Sequence, residues 1–323
     1  MKTLLLVLLA ACSAVFSSFV FAQQTYPLRP VRLLVGFPPG GTTDIIARLI
    51  APGLSEFFHQ QFFVDNRPGA TGNIAAELAA HSPPDGSTLL LVAASFSSNI
   101  SLYPKAGYDP VRDFAPVTRI AAVHNVLVVH PSVPVKSVKE LVELAKKRPG
   151  ELIFASPGNG TTSHLAVELL KTTVGGLNIL HVPYRGIAPA VLDIIGGQVH
   201  ALVSTMPTSV PHIKSGRLKA LAVVSLKRAA PLPDVPTFEE SGYPGFEAAA
   251  WNAVLVPTGT PYDTITRLNL AIVGIVQSRE VKERLATLGA EVIGDTPDQF
   301  AAYLRAEIAK WAKVVKASGA KID

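Results

Sequence analysis

The sequence predicts an α/β fold of about two domains, with short strands that are mostly parallel. Apolar runs of strand length alternate with segments whose apolar residues have helical spacing. Small polar loops follow several strands, at the end where open α/β sheets bind their ligands. The chain has 323 residues, of which 48% are hydrophobic and 16% charged, so the composition indicates a packed globular protein and excludes a disordered one.

The amino-terminal segment, residues 1–22, is typical of a secretory signal peptide. A lysine at position 2 precedes an apolar run from Leu4 to Phe21, and Ala22 supplies a small residue at the cleavage point. The segment that ends at Cys12 also resembles a lipobox, but the mostly apolar residues after Cys12 favour cleavage after Ala22. We therefore expect an exported, periplasmic protein whose mature chain has no cysteine and no disulfide.

Charge and motif content exclude several kinds of partner. The formal net charge is +5, but no Lys/Arg run is dense enough to predict a nucleic-acid surface. There is no H-E-x-x-H motif, no cysteine pair and no histidine spacing typical of a metal site. The sequence therefore predicts no metal, no cofactor and no nucleic-acid partner.

The first corner, where a strand meets a helix, is the main candidate for a binding site. An apolar strand, Val31–Val35, leads into Gly40 and Gly41, and the helical spacing begins at Thr42 and Thr43. The first amides of a helix have no internal partner and carry partial positive charge, and glycine lets a ligand approach them closely. This corner therefore predicts an anion site.

Two other interpretations of the first corner remain open from the residues alone. Gly36 and Gly41 have the spacing of a phosphate-binding P-loop, but Thr42 stands in place of the lysine that contacts the β- and γ-phosphates. An ordinary strand-to-helix turn with a threonine cap explains the same residues without any ligand.

Two further loops follow strands in the first half of the chain. Ala70, Thr71 and Gly72 end a loop that begins after the strand 62–64. Ser95, Phe96 and Ser97 form a predicted loop at the carboxyl end of the strand 88–93. Both loops belong to the strand ends where ligands bind.

A second corner repeats the first more than a hundred residues later. The strand 152–155 leads into Ser156, Gly158, Asn159, Gly160 and Thr161, and an amphipathic helix follows. Two such helix starts would form a clamp if they faced each other. Two later strand ends add Tyr184 with Arg185, whose guanidinium can hold a carboxylate in two hydrogen bonds, and Ser204.

The carboxyl third predicts a chain that crosses twice between two lobes. Residues 231–246 are rich in proline and glycine and predict a long irregular connection, and 251–256 are extended. Thr296 and Gln299 begin a final helix that we expect to pack on the first lobe. We expect one discontinuous lobe of residues 23–124 and 251–323, and a second lobe of residues 125–250.

A secreted hydrolase is the competing function. Ser163 and His164 could supply a nucleophile and a base, but adjacent residues on a helix point about 100° apart. No G-x-S-x-G motif is present to expose a serine. The residues therefore favour binding over catalysis, and His164 at a helix start is more typical of a cap.

Several separated motifs resemble the Bug receptors, the extracytoplasmic solute-binding proteins of the tripartite tricarboxylate transporters, also called the TctC family. They are Tyr26–Pro30, the corner Pro39–Asp44, Asn66–Ala70, Tyr108–Val117, His181–Gly186 and Leu232–Thr237. The resemblance implies a two-lobed α/β periplasmic-binding-protein fold, type 2-like, with two interdomain crossovers, that closes over a small carboxylate. The implied partners are that carboxylate and either the membrane permease subunits or a membrane sensor.

The resemblance also implies the binding residues, partly through ordered water. In one lobe the carboxylate would contact Gly40, Gly41 and Thr42, and in the other lobe Ser156, Asn159, Gly160 and Thr161. The rest of the pocket would be shaped by Ala70, Thr71, Gly72, Ser95, Phe96, Ser97, Tyr184, Arg185 and Ser204.

The chain departs from the family pattern at two positions. Family members often carry Asp where His200 stands, and frequently another Asp where Ser204 stands. The loss of an acidic group at the pocket edge would remove the partner of a ligand amine, and a buried ammonium without a counter-charge is costly. We therefore expect a ligand that lacks an amine, such as a di- or tricarboxylate or an aromatic acid.

Overall fold

The computed structural model describes residues 26–103, 105–246, 248 and 250–318. The predicted signal peptide, with both candidate cleavage points, lies outside these residues. Among the residues that are described, no helix combines the length and the apolarity needed to cross a bilayer.

Eleven strands and ten α-helices form the described part of the chain. The strands are β1 (Val31–Val35), β2 (Phe62–Asn66), β3 (Thr88–Ala93), β4 (Phe114–Val123), β5 (Asn125–Val129), β6 (Ile153–Ser156), β7 (Leu180–Pro183), β8 (Ala201–Thr205), β9 (Lys219–Val223), β10 (Ala250–Pro257) and β11 (Ala290–Val292). The helices are α1 (Thr42–Phe58), α2 (Asn73–Ala80), α3 (Ser95–Leu102), α4 (Val138–Lys147), α5 (Thr162–Thr173), α6 (Ile187–Ile195), α7 (Met206–Lys214), α8 (Tyr262–Gln277), α9 (Arg279–Thr287) and α10 (Pro297–Ser318).

The strands form two sheets, one in each lobe. The first lobe has six strands in the order β11-β4-β10-β3-β1-β2, and the second has five in the order β7-β6-β8-β5-β9. The chain passes to the second lobe between β4 and β5 and returns between β9 and β10. This is the predicted two-lobed α/β fold with two crossovers.

Parallel pairing is less general than the sequence predicted. β1 is parallel to β2 and β3, and β6 is parallel to β7 and β8. β5 and β10 each follow a crossover, and both pair antiparallel with their neighbours. β11 also pairs antiparallel with β4. The expectation was wrong at these strands, and β5 and β10 each enter their sheet from the opposite lobe and run against both neighbouring strands.

Both faces of the first sheet are covered, which explains its nearly continuous apolar strands. Val31, Leu33 and Val35 of β1 pack on one face with the apolar side of α1, while Leu34 packs on the other face with Trp251. Successive side chains of a strand point to opposite faces, so one short strand contributes to two cores. The corner after β1 is therefore held firmly between two packed layers.

The final helix packs on the first lobe, as predicted. Gln299 N–H donates to Thr296 Oγ1 and the Gln299 side chain accepts from Thr296 N–H, which is the expected capping box. Buried Glu307 accepts hydrogen bonds from Trp251 Nε1 at 3.2 Å and Trp311 Nε1 at 3.0 Å. Residues 231–246 contain no helix or strand, in agreement with the predicted irregular connection.

The predicted loop at Ser95, Phe96 and Ser97 is wrong, since these residues begin α3. Serine competes with helical backbone hydrogen bonds, which made a loop the better prediction. Here Ser97 Oγ donates to Ala94 O at 2.6 Å, and Ser98 Oγ lies 3.0 Å from Ser95 O. The hydroxyls are satisfied by the preceding turn and are buried without breaking the helix.

Candidate functional site

The first corner presents backbone amides that the helix itself does not use. α1 follows Gly41, which gives no side-chain cap, so the predicted threonine cap is wrong at this corner. Gly40 N–H donates to Asp44 Oδ2 at 2.9 Å. Burial alone would raise the pKa of Asp44, but hydrogen bonds from Arg48, Gly40 and Asn66 outweigh it and lower the pKa. The first amides of α1, from Thr42 onward, have no partner within the helix.

The second corner has the same backbone pattern, residue by residue. Gly160 N–H donates to His164 Nδ1 at 3.1 Å, as Gly40 donates to Asp44. Thr161 N–H donates to Gly158 O at 3.3 Å, as Gly41 donates to Pro38 O at 3.4 Å. The helix starts at Thr162, which therefore corresponds to Thr42.

Both corners open into one cavity between the lobes, with a volume of about 60 Å³. That is the space of a few water molecules or of one end of a small ligand. None of the described residues around it carries a charged side chain. The lining residues are Phe37, Gly41, Thr42, Thr43, Ala93, Ala94, Ser95, Pro157, Thr161, Thr162, Ser163, Ile187, Thr205, Ala250, Trp251 and Asn252.

Hydrogen bonds between the lobes surround the cavity. Thr42 Oγ1 and Thr205 Oγ1 lie 2.5 Å apart. Thr71 Oγ1 donates to Asn159 O at 3.3 Å, and Ser98 Oγ donates to Gly160 O at 2.8 Å. The structure is therefore closed around the cavity.

A smaller space of about 10 Å³ adjoins the cavity within the first lobe. Thr71, Gly72, Ser95 and Phe96 line it, together with buried Asn99. Phe37, Ala93 and Ser95 line both spaces. The structure thus brings the predicted loops after β2 and β3 to the same region as the first corner.

Of the residues predicted for the pocket, four line the main cavity: Gly41, Thr42, Ser95 and Thr161. Thr71, Gly72 and Phe96 line only the smaller space. The other nine predicted residues line neither space: Gly40, Ala70, Ser97, Ser156, Asn159, Gly160, Tyr184, Arg185 and Ser204.

Most of the residues outside the lining support the loops that form it. Ser156 Oγ contacts His181 Nε2 at 2.7 Å and accepts from Gly158 N–H, which fixes the second corner. Asn159 and Gly160 offer carbonyls to the opposite lobe. Ala70 has a positive φ of 45° in the turn before Thr71.

Tyr184 and Arg185 do not line the cavity. The Tyr184 hydroxyl donates to Asp193 Oδ2 at 2.7 Å. Arg185 is exposed, and no ion pair or hydrogen bond of its side chain occurs among the described residues. Both follow β7, an edge strand, and from this loop and the helix after it only Ile187 lines the cavity.

The two departures from the family pattern also lie outside the lining. His200 Nδ1 accepts from Ile153 N–H at 3.0 Å. Ser204 is fully buried, contacts the Ser209 hydroxyl, and lies 3.3 Å from Thr208 Oγ1. Neither residue lines the cavity: successive residues of β8 point to opposite faces, and Thr205 is the one that lines it.

Ser163 and His164 do not form a nucleophile and base. Ser163 lines the cavity, but His164 Nδ1 accepts from the Gly160 amide and its ring stacks on His181 at 4.3 Å. Burial lowers the pKa of His164. His164 is thus a cap, as its position predicted.

Nucleotide and metal sites have no support in the described part of the chain. The cavity lining has no cation to take the role of the P-loop lysine. The described residues contain no group of three or more His, Cys, Asp or Glu arranged to hold a metal.

The predicted site did not include the lining residues Thr205 and Asn252, and it named no ligand contact for Thr43 and Thr162 of the two corners. Strand alternation could have selected Thr205 over Ser204, since only one of two successive residues faces the cleft. A polar Asn252 within the apolar strand 250–257 was a second available signal, because a buried amide needs partners.

Comparison with known proteins agrees with this geometry. The model of the tripartite tricarboxylate transporter family receptor, TctC, matches residues 46–320. Protein BugT of Bordetella pertussis is 42% identical over 303 residues, which span 93% of each chain.

Solved structures also match over nearly the whole chain. "R. palustris Rpa4515 with adipate" is 42% identical with a TM-score of 0.89, over 92% of this chain and 100% of that one. "MatC (Rpa3494) from Rhodopseudomonas palustris with bound malate" is 32% identical with a TM-score of 0.85, over 90% and 100%. This chain therefore belongs to the TctC family of tripartite tricarboxylate transporter receptors, and it is a solute-binding receptor rather than an enzyme.

Proposed function

We propose that this receptor captures a small carboxylate without an amine in the cavity between its lobes and delivers it for uptake. The observation that carries the proposal is the pair of helix starts, α1 and α5, that face one cavity. Their amides and the hydroxyls of Thr42, Thr43, Thr162 and Ser163 are hydrogen-bond donors suited to an anion. The similar proteins with adipate and with malate support a carboxylate.

The absence of an acidic side chain from the described lining supports the amine-free part of the proposal. An ammonium enclosed there would have no counter-charge and would remain largely uncompensated. Adipate and malate both lack an amine, whereas aspartate and glutamate carry one. This support comes from the whole described lining, to which His200 and Ser204 do not belong.

The proposed organisation follows the two sheets. The lobes would comprise residues 23–124 with 251–323, and residues 125–250, and closure would bring Thr42 of one to Thr205 of the other. The mature receptor would act in the periplasm after cleavage following Ala22 and would pass its ligand to the permease subunits of a tripartite transporter.

Two measurements test the proposal. Mass spectrometry of ligand released from protein purified without refolding is expected to find an amine-free carboxylate. Titration calorimetry with adipate, malate, citrate, benzoate, aspartate and glutamate is expected to rank an amine-free acid first. The proposal would be wrong if aspartate or glutamate bound more tightly than every amine-free acid, or if no acid bound.

A further inference from the structure

Two asparagines, Asn125 and Asn252, occupy corresponding positions in the two lobes, and Asn252 itself lines the cavity. Asn125 is the first residue of β5 and Asn252 is the third residue of β10, so each follows a crossover between the lobes. Both are almost fully buried, at 0% and 2% exposure. A buried amide in an apolar strand requires hydrogen-bond partners, and these partners show what the asparagines do.

Each asparagine contacts a threonine at the start of a cavity-lining helix. Asn252 Nδ2 donates to Thr43 Oγ1 at 3.1 Å, and Asn125 Nδ2 donates to Thr162 Oγ1 at 3.4 Å. Both threonines line the cavity and are nearly buried. Among the described residues, neither threonine hydroxyl has another hydrogen-bond partner.

Backbone carbonyls fix the direction of these hydrogen bonds. Asn252 Nδ2 also donates to Val92 O at 3.2 Å, and Asn125 Nδ2 also donates to Ala248 O at 2.9 Å. A carbonyl can only accept, so the NH₂ group of each asparagine must point toward it. The same NH₂ group faces the threonine, and the threonine oxygen must therefore be the acceptor.

This direction leaves the threonine hydrogen free for a ligand. A hydroxyl has one hydrogen to donate, and neither Thr43 nor Thr162 donates it to its asparagine. A hydroxyl that accepts a hydrogen bond is also polarised and becomes a better donor. Thr161 is the contrast, because its hydroxyl donates to Gly158 O at 2.8 Å and accepts from His164 N–H.

We propose that Asn252 and Asn125 are positioning residues that orient the hydroxyls of Thr43 and Thr162 to donate to the ligand carboxylate. This rests on the proposed function and names the donors that it uses. The hydrogen bond of Asn252 to Thr43 is shorter than that of Asn125 to Thr162, so we expect Asn252 to contribute more to ligand affinity. Each threonine donor is thereby hydrogen-bonded to a strand that follows a crossover between the lobes.

A double-mutant cycle separates this role from a merely structural one. Adipate and malate binding is measured by calorimetry for wild type, Asn252→Ala, Thr43→Val and the double variant, with thermal unfolding as the folding control. Asn252→Ala is expected to weaken binding about 3- to 10-fold in the wild-type background. In the Thr43→Val background it is expected to change binding by less than about two-fold, because no hydroxyl remains to be oriented.

Thr43→Ser is the matched control, since serine keeps the hydroxyl. In that background the effect of Asn252→Ala is expected to return. The double-mutant cycle of Asn125→Ala with Thr162→Val tests the same role in the second lobe. It replaces the first cycle if Asn252→Ala does not fold.

Equal losses in both backgrounds would overturn the inference and leave the proposed function intact. A wild-type protein that bound none of the acids in the panel would overturn the proposed function, and the inference with it.

Discussion

Closure of the two lobes depends on the absence of a side chain at Gly160, and Gly160→Ala tests this. Gly160 belongs to the second lobe, and a Cβ built on it would overlap Leu102 Cδ1 of the first lobe and lie 3.7 Å from Ser98 Oγ. Gly160 also has a φ of 76°, which an L-residue adopts only with strain. The substitution therefore has two free-energy costs: backbone strain, and a steric overlap between the lobes.

The two costs can be assigned separately. The strain at positive φ, roughly 1–2 kcal/mol, is present whether the lobes are open or closed, so it lowers stability and leaves the opening equilibrium unchanged. The overlap with Leu102 exists only in the closed state, and forcing a methyl group into a packed contact costs about 1–3 kcal/mol. A ligand that binds the closed state should therefore bind about 5- to 150-fold more weakly.

Gly216→Ala is the matched control. Gly216 has a φ of 73°, and a Cβ there would have no atom within 4 Å. It is expected to lower the melting temperature about as much as Gly160→Ala and to bind the ligand like wild type. Adding Leu102→Ala to Gly160→Ala is expected to restore most of the lost affinity, because the overlapping atoms are removed.

The assay is calorimetry with whichever acid of the panel wild-type protein binds, together with small-angle X-ray scattering of the liganded variants. Gly160→Ala is expected to remain more extended than Gly216→Ala at the same ligand concentration. Equal affinities of the two variants would refute the reasoning, since the overlap would then have no effect on closure.

Three further predictions follow from single contacts. Burial, followed by the charges of His164 and Lys171, lowers the pKa of His181 to about 4, so the unfolded state binds more protons between pH 6.5 and 4. Thermal unfolding should therefore show a loss of about 1–2 kcal/mol of stability, after allowance for partial exposure, as the pH falls from 6.5 toward 4. His181→Gln should flatten this pH dependence. Glu307→Ala leaves two buried indole N–H groups without an acceptor and is expected to cost about 2–4 kcal/mol in denaturant unfolding, whereas Glu307→Gln should cost less than half of that. Arg185→Ala is expected to change carboxylate affinity by less than about two-fold in calorimetry, because the exposed guanidinium lies outside the cavity lining, and a tenfold loss would place it in the site.

The two corners could be predicted from sequence because their signals are local. A strand pattern, small residues without bulk and a helix pattern occur within a dozen residues, and together they specify a helix start that faces outward from a sheet. The capping role of His164 was equally local, since it follows from the position of the residue in the first turn. The family resemblance implied a ligand role for Thr161, whose hydroxyl is used within the loop.

The identity of the other lining residues depended on strand order, which local patterns do not contain. Tyr184 and Arg185 end a strand as Thr205 does, but β7 is an edge strand while β8 lies between β6 and β5. The loop after β7 also reaches the first lobe, at Gly186 and Ile187, but Tyr184 and Arg185 do not line the cavity. Asn252 was missed for a related reason, because its partner Thr43 is 209 positions away and becomes its neighbour only when β10 inserts beside β3.

The character of the contacts between the lobes suits a receptor that must release its ligand. The hydrogen bonds across the cleft join Thr42 to Thr205, Thr71 to Asn159 and Ser98 to Gly160, and each pairs a hydroxyl with another hydroxyl or a carbonyl. Water replaces such bonds at a net cost of about 0.5–1.5 kcal/mol each, so they favour closure without fixing it. A ligand shifts the equilibrium only by its preference for the closed state, and a carboxylate that contacts both helix starts would have that preference. A cationic side chain in the cavity would bind the anion more strongly and oppose its release, and the described lining has no such side chain.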